Sequence, residues 1–343
     1  MPAREEMLDR AWTALAAGAI GDALGMPTQL LTPAEIAARY GFVDSFVTPS
    51  EDHPVSRGLA AGTVTDDTEQ TLLLARLLLA SPEHFDHAGW VRALVEWERD
   101  VKARGSYDLL GPSTKRALDV INAGATPAEA GRFGTTNGAA MRIAPVGILM
   151  PQTPLEALVD KVAETCLATH NTPSAIAGAS AVAAAISQGI AGGDWPAARA
   201  RALDAATLGA AHGHADDGPE LRERIAEALR LVKGKNTAEA AHVIANEIGT
   251  GVATKESVPA AFAVVEVAGG DPWQAAVLAA NLGGDTDTIG AIAAGMAGAC
   301  TGSAALPEDR LEALHGFDIA EAKALAGELI RARLVVANGR EVA

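Results

Sequence analysis

The sequence is poor in aromatic residues, 4% of 343, and holds only two cysteines, Cys166 and Cys300. Runs that alternate apolar and polar residues, the mark of a half-buried strand, are almost absent. With Ala and Leu dominant and β-branched and aromatic residues sparse, the chain is predicted to be all-α. Both cysteines sit in apolar helical patterns without metal-type spacing, which argues against a disulfide framework and for reduced core residues of a cytoplasmic protein. Basic residues are also in short supply, 27 against 43 acidic ones, for a net charge of −16. No broad electrostatic attraction to nucleic acid or to an anionic membrane is expected from such a chain. The most apolar stretches, 175–190 and 289–300, are rich in Ala and Gly and broken by polar residues, so they read as buried helices and not as bilayer spans. The opening run Met1-Pro2-Ala3-Arg4-Glu5-Glu6 lacks the basic-then-apolar layout of a signal peptide, and export is not expected. Neither a linker of Pro, Ser or charged repeats nor an internal period is visible, so residues 1–343 are expected to form one compact multi-helix domain. The oligomeric state is not fixed by these features.

What is present is ample core material, 49% hydrophobic residues, arranged largely at helical spacing. Helices are expected over 7–25, 71–80, 85–104, 112–124, 155–169, 172–190, 220–232, 237–248, 257–268 and 271–281, with two more inside 307–337. A polar stretch over 43–62, containing His53, is expected to be a long loop across one face.

Acid is concentrated at two places. Asn281-Leu282-Gly283-Gly284-Asp285-Thr286-Asp287-Thr288-Ile289-Gly290 puts two carboxylates and two hydroxyls in four consecutive residues, ahead of a small-residue helix. Thr65-Asp66-Asp67-Thr68-Glu69-Gln70 does the same ahead of a Leu-rich one. Asp and Thr are ordinary N-caps, and Asp66 with Glu69 has capping-box spacing, but capping needs only one residue of each cluster. Hard cations such as magnesium or manganese favour clustered oxygens of this kind. A calcium loop starting at Asp285 would need an oxygen ligand where Ile289 stands and an acid where Met296 stands, which excludes it. If the two turns meet, their four aspartates and threonine hydroxyls could hold a pair of divalent ions, as in two-metal hydrolases.

Other polar residues carry two readings. Asp22, in the tight run Gly18-Ala19-Ile20-Gly21-Asp22-Ala23-Leu24-Gly25, is either a buried acid bonding amides or a residue aimed into a site. The glycines of Gly131-Arg132-Phe133-Gly134-Thr135-Thr136-Asn137-Gly138 could expose amides to a phosphate or sugar, or allow a close helix crossing. His170, at a helix junction, fits a cap or hydrogen-bond bridge as well as a ligand. His212-Gly213-His214-Ala215-Asp216-Asp217 lacks the last histidine of the metallohydrolase pattern it approaches and is expected to be a solvated loop.

The two acidic turns in this order, with Gly21-Asp22-Ala23-Leu24-Gly25-Met26-Pro27, Thr136-Asn137-Gly138-Ala139-Ala140-Met141-Arg142 and Thr169-His170, resemble the ADP-ribosylglycohydrolase family across nearly the whole chain. The resemblance implies an all-α domain and a hydrolase cleaving the glycosidic bond at the anomeric carbon of ribose in an ADP-ribosylated substrate. It implies two Mg²⁺ or Mn²⁺ ions held by Thr65, Asp66, Asp67, Asp285, Asp287 and Thr288, with Asp67 and Asp287 as candidates to orient or deprotonate water. Asp22, Gln29, Asn137, Gly138, Ala139 and His170 are the implied substrate contacts. One departure stands out, because the family's first motif commonly ends in glutamate and this chain has Gln29 there. Gln cannot serve as a general base, so hydrolysis of small ribosides, or a non-catalytic ADP-ribose-binding or structural role, remain alternative readings.

Overall fold

The computed structural model describes residues 2–106, 110–217 and 220–340; of the N-terminal run noted above, Met1 lies outside them. Among the described residues there are helices and no strands, and the two isolated β-bridges, Thr63 with His315 and Thr136 with Ala253, only pin loops. In chain order the helices are α1 Arg4–Gly25, α2 Pro33–Tyr40, α3 Asp66–Ala80, α4 His87–Ala103, α5 Pro112–Asn122, α6 Pro127–Ala130, α7 Gly138–Met141, α8 Ala144–Leu149 and α9 Leu155–Cys166. They continue with α10 Pro173–Ile190, α11 Trp195–Gly209, α12 Leu221–Val232, α13 Thr237–Val243, α14 Thr254–Val267, α15 Pro272–Ala280, α16 Thr286–Thr301, α17 Glu308–Glu312 and α18 Ile319–Arg340.

Helices α1 and α16 form the axis, packing more extensively against each other than any other pair. Their small residues allow this. A β-carbon on Gly21 would lie 2.2 Å from the Gly290 carbonyl oxygen, and one on Gly25 would lie 2.4 Å from the Asp287 amide nitrogen. Further along, Gly298 approaches Thr13 in the same way, so the two helices run antiparallel with backbones in near contact. The consequence is direct: the C-terminal end of α1 lies against the N-terminal end of α16, where the acids are. Around the axis pack α10, α14 and α15, and α10 is long and apolar enough to cross a membrane but has 89% of its span buried inside the fold.

Two helices of eight residues or more were not expected from periodicity. Residues 33–40 begin with a full capping box, Thr32 and Glu35, with Pro33 in the first turn. Residues 195–209 begin at Asp194, whose side chain accepts from the Ala197 amide. The predicted helix over 237–248 changes to a π-turn at Ile244–Ile248 before Gly249. The Asp66–Glu69 capping box does not form: Thr65 is the N-cap, and Glu69 instead accepts from Trp97 and Arg104.

Candidate active site

The first acidic turn is held from below by Asp22. This aspartate has no solvent exposure and accepts from the backbone amides of Thr65 (2.9 Å) and Thr68 (3.2 Å) and from both of their hydroxyls, at 2.8 and 2.5 Å. Burial raises its pKa to about 6 although these donors oppose the rise. Asp22 therefore braces the turn from behind and is not among the residues that line the cavity described below.

The second turn is held by its backbone. Gly283 and Gly284 have φ of 75° and 77°, a region open to glycine at little cost. The Gly284 amide donates to Leu31 O (2.9 Å), the Gly284 carbonyl accepts from Leu30 N (2.6 Å), and the Asp285 amide donates to Thr250 O (2.7 Å). Asp285 stands at the N-cap of α16, yet its side chain makes no capping bond. It accepts instead from Asn137 Nδ2, which also donates to Ser257 Oγ (3.0 Å). Thr286 turns inward to Gly25 O.

The two turns meet. Thr288 Oγ1 donates to Asp67 Oδ2 at 3.3 Å, and Asp66, Asp67, Asp285 and Asp287 line one cavity of about 270 Å³. Thr288, Gln29, Asn137 and Gly138 share that lining, with Leu30, Val55, Met141 and Val252 as apolar wall. No basic side chain is among the described lining residues. Burial raises the Asp67 pKa well above the usual carboxylate range, with Asp66, Asp22 and Asp285 adding repulsion, and burial raises Asp285 to about 6. Asp67 Oδ1 is buried without a hydrogen-bond partner. Among the described residues no three His, Cys, Asp or Glu side chains are already grouped as a metal-ligand set.

Besides Asp22, three expected site residues lie outside this lining. Thr65 gives its hydroxyl hydrogen to Asp22 and lines a neighbouring cavity of about 180 Å³ that shares Asp66 with the first. Ala139 is packed in the core. His170 is fully buried behind the wall: Nε2 meets Thr136 Oγ1 at 3.1 Å, and its ring lies 3.0 Å from where a β-carbon on Gly138 would be. Burial and the neighbouring Arg142 hold its pKa well below the ordinary value. It supports the 136–138 segment and does not border the cavity. Just before that segment, Gly131 and Gly134 serve close packing against the backbone at Leu167 and Thr169, while Gly138 within it lines the cavity. The His212–Asp217 run is a loop, as expected, with His212 3.8 Å from Asp160.

Several contributors had been overlooked. Arg142, buried and lowered to about 10, donates to Gln70 Oε1 (2.9 Å), whose amide nitrogen donates to Asp66 Oδ2 (2.9 Å). An amide thus relays the pull of a buried cation to an acid of the site. Gln70 is four residues after Asp66, on the same helical face, so its spacing was a usable signal. Ser257 offered none, being 120 residues from Asn137.

Comparison with known proteins places these features in context. A family model described as ADP-ribosylglycohydrolase matches residues 3–338. The chain is 36% identical over 318 residues to the uncharacterized protein YegU of Escherichia coli (strain K12), covering 90% of this chain and 94% of that one. It is 27% identical to the ADP-ribosylarginine hydrolase Tri1 of Pseudomonas putida (strain GB-1), over 90% of this chain and 75% of that protein. A solved structure titled ADP-ribosylglycohydrolase-related protein complex superposes with a TM-score of 0.70 at 28% identity, covering 96% of this chain and 99% of that one.

Proposed function

The chain belongs to the ADP-ribosylglycohydrolase family, and from that membership we propose that it hydrolyses the glycosidic bond at the anomeric carbon of ribose in an ADP-ribosylated substrate, with two Mg²⁺ or Mn²⁺ ions as cofactors. The carrying observation is the convergence of Asp66, Asp67, Asp285 and Asp287 on one cavity with no basic residue among the described lining. Four carboxylates so placed repel one another, and Asp67 Oδ1 lacks a partner where burial makes that costly. The donors are oxygen only, which suits a hard divalent cation. Thr65, Asp66, Asp67, Asp285, Asp287 and Thr288 would hold the ions, Thr65 through a hydroxyl lone pair while its hydrogen goes to Asp22. When bound, such ions polarise hydroxyl and phosphoryl oxygens and stabilise charge developing in the transition state.

The remaining work falls to the chain's own side chains. Asp67 or Asp287 would orient water or take its proton as oxocarbenium character develops at the ribose. Asn137, fixed by Ser257 and Asp285, and the backbone at Gly138 would line the ribose and phosphates. Gln29 would hydrogen-bond without accepting a proton. Release of free ADP-ribose from ADP-ribosylarginine or from an ADP-ribosylserine peptide, dependent on Mg²⁺ and abolished in Asp287→Ala, is the expected result. No release from either conjugate with metal present would refute the ADP-ribosyl reading.

One observation favours a second reading. The cavity, about 270 Å³, lies just below the usual range of roughly 300–1,000 Å³ for small-molecule sites. That suits a nucleoside-sized riboside, and turnover of nucleosides without turnover of ADP-ribosyl conjugates would select it. Action in the cytoplasm, on a small molecule or modified protein and not on nucleic acid or membrane, is part of the same proposal.

A further inference from the structure

Gln29 lines the same cavity as the four aspartates, and the hydrogen bonds around it have a fixed direction. Ser56 Oγ, fully buried, lies 3.0 Å from the Met26 carbonyl oxygen and 3.1 Å from Gln29 Nε2. A carbonyl can only accept, and a hydroxyl has one hydrogen, so that hydrogen belongs to Met26. Toward residue 29, Ser56 can then only accept.

His53 fixes Ser56 in turn. It too is fully buried, its Nδ1 accepts from the amides of Ser56 (2.9 Å) and Val55 (3.3 Å), and its Nε2 faces the Gln29 carbonyl oxygen at 2.9 Å. An Nδ1 that accepts leaves the ring hydrogen on Nε2, which donates to Gln29 O. The loop over 43–62 is therefore clamped to the end of the first motif at both the backbone and the side chain of residue 29. Val55 and Gln29 both line the cavity.

We propose that Ser56, oriented by His53, is a positioning residue that fixes position 29 of the cavity wall as a hydrogen-bond donor, so that this site is built for a neutral amide there and not for a carboxylate. Glutamate at 29 would set its oxygens against the lone pairs of Ser56, or draw the Ser56 hydrogen away and leave the buried Met26 carbonyl unpaired. Gln29 is thus a matched part of a three-residue device that presents a neutral polar group to the ligand. Proton transfer in the proposed reaction is left to the aspartates. The functional side of this inference rests on the reading above; the matching of residues 29 and 56 does not.

The test is a double-mutant cycle on the full chain, with melting temperature and calorimetric affinity for ADP-ribose as readouts. Gln29→Glu is expected to lower the melting temperature by about 4 °C or more, and the same change in a Ser56→Ala background to lower it by less than half as much. If Gln29→Glu alone does not accumulate folded, recovery of folded protein in the double variant supports the pairing, and failure to recover opposes it. Ser56→Ala should weaken ADP-ribose binding about fivefold in the wild-type background and leave it unchanged in Gln29→Ala, because the effect passes through Gln29. Additive melting shifts would overturn the pairing, and an equal affinity loss in both backgrounds would overturn the positioning role. If ADP-ribose does not bind the wild type, the proposed function fails while the melting cycle still decides the pair.

Discussion

The two acidic turns look alike in sequence and are held by opposite means. Thr65-Asp66-Asp67 is fastened by side chains, since a fully buried Asp22 gathers two amides and two hydroxyls from beneath it. Asp285-Thr286-Asp287-Thr288 is fastened mainly by backbone, through Gly283, Gly284 and the α1–α16 contact, and Asp285 at the N-cap makes no capping bond. One turn depends on a buried acceptor and the other on shape. Between these two fixings Asp66, Asp67, Asp285 and Asp287 are brought to line one cavity.

The sharpest way to break the comparison is on the backbone side. Gly25→Ala and Gly284→Ala would each place a β-carbon 2.4 Å from backbone atoms, of Asp287 and of Thr250 respectively, and at Gly284 φ is also positive. Each is expected to cost roughly 3 kcal/mol or more in denaturant unfolding. On the side-chain side, Asp22→Ala leaves four donors facing a void and should cost about 3 kcal/mol, while Asp22→Asn, which keeps one oxygen for the amides, should cost clearly less. Equal losses from the two Asp22 variants would deny it the bracing role.

The pH response separates the turns less drastically. Asp22 and Asp285 both rise from 3.8 to about 6 on folding. Their neutral forms favour the fold, so the stability they contribute is present below about pH 4 and is lost as pH climbs through 6. Melting of metal-free protein should therefore fall between pH 4 and 7, by up to about 3 kcal/mol for each of the two groups, and added Mg²⁺ should restore more at pH 7 than at pH 5. The smallest effect is at the join: Thr288→Val removes the direct hydroxyl link to Asp67 and should cost about 1 kcal/mol in thermal unfolding, with metal affinity reduced further.

The sequence showed much of this arrangement because the site is local in sequence at each half. Two Thr/Asp clusters at helix starts, each exceeding what capping needs, were visible from spacing alone, and the all-α class followed from composition. The resemblance to a known family joined the halves. Residues that act from behind the site carried two readings in the sequence, and the structure fits the buried one, for a physical reason. Asp22 and His170 lie beside site residues in space, yet both point into the protein, where buried polar groups must find partners. Helix 195–209 was missed because its start is marked mainly by Asp194 and Pro196, not by a strong apolar period. The donor polarity at Gln29 needed Ser56, His53 and Met26 in three dimensions, and no spacing rule links them.

The central claim is that the two turns make one divalent-cation site. Calorimetric titration of Mg²⁺ or Mn²⁺ into metal-free protein tests it most directly, beside Asp67→Asn and Asp285→Asn, one from each turn. The account predicts saturable binding to the wild type that is lost or weakened at least tenfold in both variants. Wild-type protein that takes up no divalent cation, or binding that survives unchanged when either turn loses its carboxylate, would contradict it.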